Sequence, residues 1–211
     1  MLNGNRNITL ICLLVFGLFI LSSCSKTRSS NSHTLPKVKL STELGDIVIE
    51  VDTGKAPISA ANFLRYVDEN RFKTASFYRT VRMDNQPNNK ITIEVIQGGI
   101  GFRDSPLRLP PIKHETTAET GILHKDGVIS MARSDPGTAS SEIFICIGNQ
   151  PELDFGGKRN PDGQGFAAFG RVIEGMDVVK KIQSAPADEQ MLLAPVIIQD
   201  ILRIESAIGK E

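Results

Sequence analysis

The chain opens on an unbroken apolar stretch and then changes its periodicity. Residues 8–21 are apolar with Thr9 as the main polar interruption. At fourteen residues the stretch falls short of the roughly 20 that a membrane-spanning helix needs. With Arg6 before it, it has the length and flanks of a signal-peptide core. Beyond a polar segment at 25–33, the pattern alternates with a period of two. Val38, Leu40 and then Ile47, Ile49 and Val51 fall on single faces, with Gly45-Asp46 placed as a hairpin turn, which predicts two antiparallel strands. Pro57 suits a first helical turn, because its missing N–H would be unpaired there in any case. Ala60, Phe63, Leu64 and Val67 follow at helical spacing, with Arg65, Asp68 and Glu69 on the wet side. Short strands are predicted around 77–83, 92–97, 127–132 and 143–147, a second helix over 175–182, and a last strand over 195–204. Many short strands with only two helices predict an all-β, closed or nearly closed architecture. Closure removes exposed strand edges, and the helices would cap the open ends.

The apolar stretch ends in Leu21-Ser22-Ser23-Cys24. This resembles the bacterial lipobox, in which small residues before a cysteine allow cleavage and the cysteine becomes a lipidated N-terminus. An ordinary secretion signal and an uncleaved anchor are the other readings. Several acyl chains on Cys24 would hold the protein firmly, at about 0.8 kcal/mol per buried CH₂. In a Gram-negative cell, serine after the lipidated cysteine resembles the sorting default for the outer membrane, facing the periplasm. The expected organisation is a signal at 1–23, a lipidated cysteine with a flexible tether at 24–36, and one domain at 37–211.

Cysteine use agrees. Cys12 leaves with the signal and Cys24 is lipidated, so Cys146 remains alone and no intramolecular disulfide forms. Removing residues 1–23 removes Arg6 and no acid, leaving 23 basic and 24 acidic side chains. That balance, without a basic block, gives no sign of nucleic-acid binding.

The candidate chemistry centres on Arg79, a permanent cation in the apolar and aromatic run Ser76-Phe77-Tyr78-Arg79-Thr80-Val81. Arginine keeps its proton at physiological pH, so it supplies charge and fixed donors but no base. Other chemistries lack their residue sets. His114 and His124 have no convergent metal ligands around them in sequence, and no cofactor or metal is expected. Ser130, Ser140 and Ser141 have no evident His/Asp relay. The glycine-rich stretch 156–165 has neither the Lys-Ser/Thr ending of a phosphate loop nor a calcium-loop pattern, and reads as a surface loop.

Motifs in fixed order carry a resemblance. Leu44-Gly45-Asp46-Ile47-Val48-Ile49, Ala56-Pro57 with Ala61-Asn62-Phe63, and Phe77-Tyr78-Arg79 come first. Gln97-Gly98-Gly99, Gly127-Val128-Ile129-Ser130-Met131-Ala132, Phe144-Ile145, Phe169-Gly170-Arg171-Val172 and Glu174-Gly175-Met176-Asp177-Val178-Val179 follow. Over roughly 38–205 the chain resembles the cyclophilin-type peptidyl-prolyl cis-trans isomerases. The resemblance implies an eight-stranded antiparallel β-barrel capped by two α-helices. It also implies rotation of X-Pro bonds in protein clients, assisting their folding, by a monomer whose partners are proline-containing segments; the lipobox at Cys24 adds the expectation that these clients are in the envelope. In this reading Arg79 stands at the catalytic position, and Gln97 at the glutamine that orients it and bonds substrate backbone. Phe144 and Leu153 stand at the proline pocket, and Ala132 and Arg133 where main-chain groups hold the peptide.

Several positions depart from the family. Glu94 and Val95 fall where phenylalanine and methionine flank the proline ring. Glu142 replaces a glutamine, Glu152 falls near the position of a family tryptophan that helps bind cyclosporin, and Phe166 takes the place of a histidine at the rim. A carboxylate facing a proline ring is costly unless solvated or paired. Pairing of Glu94 with Arg79, Arg82 or Arg133 across the cleft is one way to meet that cost, and it would partly neutralise the charge that catalysis uses. Glu94, Glu142 and Glu152 around Arg79 together predict weak or selective turnover and poor cyclosporin binding. The alternative function is a catalytically weak or inactive peptide-binding module.

Overall fold

The computed structural model describes residues 34–204. The expected signal, Cys24, most of the expected tether and the last seven residues of the expected domain lie outside them. In chain order the elements are β1 (Lys37–Thr42), β2 (Gly45–Val51), α1 (Pro57–Asp68), β3 (Ser76–Val81), β4 (Val95–Gly99) and α2 (Thr117–Thr120). Then come β5 (Val128–Met131), β6 (Ile143–Cys146), a 3₁₀ turn (Pro151–Leu153), β7 (Ala167–Glu174), α3 (Met176–Gln183), β8 (Ala187–Asp188) and β9 (Met191–Ile204).

Neighbouring strands run β1-β2-β7-β5-β6-β4-β3-β9, and β9 pairs back onto β1, so eight antiparallel strands close a barrel. The two-residue β8 hangs on β9. The pleat divides each strand as the period of two predicts. Leu40 lies opposite both Ile47 and Ile201, and all three enter the core with Ile49, Ile96, Ile129 and Phe169. Helix α1 buries Ala60, Phe63, Leu64 and Val67 against it. Its first-turn amides have no local side-chain cap; instead the Glu115 carboxylate accepts from the N–H groups of Ile58 (3.0 Å) and Ser59 (2.6 Å). A carboxylate there meets both the orphan donors and the positive end of the helix dipole.

Five details differ from the sequence pattern. The first hairpin turns at Glu43-Leu44, and Gly45-Asp46 already pair with Thr42 and Ser41. Strand β4 begins only at Val95, past the loop that carries Thr92 and Ile93. Strand β7 carries no clear alternation, because Ala167 to Gly170 are all buried between β2 and β5. A Cβ on Gly170 would stand 2.5 Å from the Glu50 carbonyl oxygen, so a larger residue would part these two strands. Strand β9 starts before Pro195, which lies where its pairing with β3 jumps register, a position a residue without an N–H tolerates. Helix α2 spans only four residues, too few for a periodic signal, and is set by a capping box between Thr116 and Glu119.

Candidate active site

Arg79, Gln97 and Phe144 stand in one row across three adjacent strands. Arg79 of β3 is the register partner of Gln97 in β4, and Gln97 is the partner of Phe144 in β6. Directly opposed residues share a face. Here it is the outer face of the barrel, since the alternate residues Ile96, Ile143 and Ile145 enter the main core. Strand β3 needs a special device to join this row, because Phe77 is a core residue and position i+2 would ordinarily share its face. Both ladders of β3 shift register between Phe77 and Arg79. The bulge at Tyr78 re-aims the side chains that follow.

The Arg79 guanidinium is held by two amides. Nη1 donates to Gln97 Oε1 at 2.7 Å, while Nε and Nη2 donate to Gln190 Oε1 at 3.1 and 2.5 Å. Among the described residues no carboxylate forms an ion pair with it. Burial lowers its pKa from the ordinary arginine value, yet arginine remains a cation. Behind it, Gln97 Nε2 donates to the Tyr78 hydroxyl (3.1 Å), which donates to Glu142 Oε2 (2.6 Å). Burial first, and the Glu142 carboxylate second, push the Tyr78 pKa up, so the phenol keeps its proton. Glu142 also accepts from Ser141 Oγ (2.8 Å) and the Gly101 N–H (3.1 Å), with Arg108 at 3.6 Å. The carboxylate thereby fixes which end of the Gln97 amide faces Arg79.

A cavity of about 440 Å³ opens beside the guanidinium. Phe144 is buried on its apolar side in a cluster with Ile93, Val95 and Leu153, against which Ala132 and Phe166 pack. Phe166 meets Phe144 edge-on with ring centroids 5.2 Å apart. Beneath Phe144 the His124 ring stacks at 5.8 Å. Its Nδ1 lies 2.7 Å from Asp154 Oδ1 and its Nε2 3.0 Å from Ser130 Oγ. A Ser-His-Asp line therefore exists that the sequence did not disclose. Ser130 has no exposed surface and His124 only 1 %, so the line supports Phe144 from below and offers no nucleophile to a substrate. Burial likewise pushes the Cys146 thiol pKa far up. An apolar slot beside an uncompensated, rigidly held cation suits a ring flanked by an amide whose charge distribution changes.

Residues 37–203 match the family model of the cyclophilin type peptidyl-prolyl cis-trans isomerases. The chain belongs to this family. A peptidyl-prolyl cis-trans isomerase of Acinetobacter baylyi is 40 % identical over 74 % of this chain and 77 % of its own. Peptidyl-prolyl cis-trans isomerase B of Escherichia coli is 32 % identical over 82 % of this chain and 99 % of its own. The crystal structure of a Cryptosporidium parvum cyclophilin superposes with a TM-score of 0.65 at 21 % identity, covering 82 % of this chain and 99 % of the other, which matches the barrel fold. The protein is a peptidyl-prolyl cis-trans isomerase.

Within this cyclophilin barrel, Arg79, Gln97, Val95, Phe144, Leu153, Ala132, Arg133, Glu142 and Phe166 all border the one cavity. Glu94 does not. The pleat turns Ile93 and Val95 inward to the slot and Glu94 away, where its carboxylate accepts from Gln183 Nε2 (3.3 Å) of α3. The expected pairing of Glu94 with Arg79, Arg82 or Arg133 is thus corrected. Arg82 goes instead to Asp84 and to carbonyls of Gln183 and Ala185, and Arg133 to Asp162. Glu152 Oε2 accepts from the Lys158 N–H at 2.8 Å, inside the loop that follows. Residues missed from the sequence are Tyr78, Ile93, Arg108, Arg159 and Gln190. Gln190 is 111 positions from Arg79, and only the β3–β9 pairing brings it near.

Proposed function

We propose that Arg79 is the catalytic group of this isomerase, that Gln97 and Gln190 orient it, and that the enzyme serves proteins of the cell envelope through a lipid on Cys24. The planar X-Pro amide resists rotation by about 18–20 kcal/mol, and the uncatalysed reaction takes tens to hundreds of seconds. Twisting the bond ends its conjugation and makes the proline nitrogen a better hydrogen-bond acceptor. A fixed guanidinium beside that nitrogen stabilises the twisted state more than the planar one, with no reorganisation at the moment of rotation.

The observation that carries this reading is the Arg79 clamp. Two neutral amides hold the cation in place beside the slot over Phe144, without a carboxylate to cancel its charge. The proline ring enters that slot. The main-chain N–H and C=O of Arg133, which make no hydrogen bond among the described residues, hold the peptide in an extended pose. One chain supplies every group. The peptide-binding alternative drew its force from a carboxylate in the proline slot. Glu94 points away, and Glu142, although it lines the cavity, has its carboxylate engaged by Tyr78, Ser141 and the Gly101 N–H, which favours the isomerase reading.

In a protease-coupled proline peptide assay, Arg79→Ala is expected to lower kcat/KM by about 10²–10³ while keeping a cooperative unfolding transition. Equal turnover in the variant would remove Arg79 from the mechanism. The envelope reading is supported by the apolar stretch at 8–21 and the Leu21-Ser22-Ser23-Cys24 ending. Cys24→Ser is expected to move the protein from the membrane pellet to the soluble fraction; an unchanged distribution excludes lipid on Cys24 as the anchor.

A further inference from the structure

The loop of residues 156–165 is built rather than slack, and it places a second guanidinium at the cavity. The Arg133 side chain, only 1 % exposed, holds it from beneath by two bonds to Asp162 (2.8 and 2.9 Å) and two to the Gly165 carbonyl (2.9 and 2.6 Å). The Gly156 N–H closes onto the Gly163 carbonyl at 2.8 Å, and the Arg159 N–H bonds the Glu152 carbonyl at 3.1 Å. Held in this way, Arg159 and Asn160 line the same cavity as Arg79.

Arg159 spends one donor on the Ile91 carbonyl (2.5 Å), and among the described residues it has no ion-pair partner. A guanidinium has five N–H donors, so most of its capacity remains. Desolvation and the nearby Arg79 charge both lower the Arg159 pKa, so the two cations repel each other across the cavity. Beside it, Asn160 Nδ2 is a buried donor without an acceptor, a costly state that an incoming acceptor would relieve. The one acid lining this cavity, Glu142, is engaged by Tyr78, Ser141, Gly101 and Arg108.

We infer that Arg159, with the Asn160 amide, forms a subsite for a substrate carboxylate adjoining the proline, so that the enzyme favours acidic X-Pro segments. The carboxylate can come from an aspartate or glutamate side chain or from a C-terminus just after the proline. Both offer a planar acceptor to a planar fork of donors. This rests on the isomerase reading for its consequence, since a peptide must place its proline over Phe144 for a neighbouring acid to reach Arg159.

The test is exchange NMR on short proline peptides that carry glutamate or alanine before or after the proline, each made with a free and an amidated C-terminus. It reads both the dissociation constant and the isomerisation rate. A charge-assisted hydrogen bond predicts that the wild type prefers acidic over neutral peptides by roughly tenfold. The preference is expected to shrink as salt is raised. Arg159→Gln is expected to bring the ratio to about one, and Arg159→Lys to restore part of it. Lys158→Gln, an exposed cation on the same loop that does not line the cavity, leaves the ratio as in the wild type. The glutamate arms and the free-terminus arms separate the two sources of carboxylate. Equal binding of acidic and neutral peptides by the wild type overturns the subsite, as does a ratio that survives Arg159→Gln. Because the ratio is also read in dissociation constants, it decides the subsite even if no peptide is turned over, and that second result would count against the isomerase reading alone.

Discussion

Arg79 is held by amide oxygens, and the choice of amide over carboxylate has a consequence. A carboxylate would fix the guanidinium equally well but would cancel much of the field that the twisted amide needs. The amides of Gln97 and Gln190 set its position and leave its charge uncompensated. The carboxylate enters two residues further back, at Glu142, where it orients Tyr78 and through it Gln97. Tyr78→Phe deletes that relay and leaves buried polar atoms of Gln97 and Glu142 each short of a partner. It is expected to cost about 1–3 kcal/mol in urea unfolding and to lower kcat more than it raises KM. A variant with wild-type kcat and stability would show that the relay orients nothing. Arg79 and Gln97 were legible as candidate site residues from their motifs. Gln190 was not, because a glutamine in a loop gives no local signal and its role comes from a contact 111 positions away.

Among the elements, the loop of 156–165 departs furthest from its sequence reading. Four glycines and a Pro-Asp-Gly turn predicted a plain surface loop. The structure adds a buried arginine beneath it, Arg133, which was expected to hold peptide through its main chain or to pair with Glu94, not to brace this loop. The Arg133 guanidinium holds the Asp162 carboxyl down at about 2, against an ordinary 3.8. The folded value lies below the unfolded one, so this pairing contributes stability above the ordinary range and loses it as pH falls through about 2. An NMR titration is expected to place the Asp162 midpoint near 2 in the wild type and near the ordinary value in Arg133→Gln. An ordinary midpoint in the wild type would mean that the loop is not held this way. Strand β4 teaches the opposite lesson. The family resemblance placed Glu94 at the proline ring, but in extended chain the residue three before an outer-face residue such as Gln97 points to the opposite side.

At the scale of the molecule, the barrel gives the row Arg79–Gln97–Phe144 a rigid base, because each of its eight closing strands is paired on both sides and only the two-residue β8 forms an edge. Closure depends on β1, which Leu40 ties to Ile47 on one side and Ile201 on the other. Leu40 is fully buried, so Leu40→Ala is expected to cost about 2–5 kcal/mol in denaturant unfolding. With the site remote from that seam, kcat/KM of the remaining folded protein is expected to stay near wild type. A stability loss under 1 kcal/mol would place the closure energy elsewhere.

The sequence alone determined the barrel class, most strand positions, the α1 face and the row of candidate side chains. These follow from periodicity and local motifs, which are written in neighbouring residues. It did not determine β7, whose small buried residues erase the alternation, nor the side to which Glu94 turns. Only the tertiary structure joined Gln190 to Arg79, placed His124 between Ser130 and Asp154, and set Arg159 beside the slot. Each of these is a contact between distant segments, made where the barrel's closure and its loops bring them together, and no local pattern encodes it.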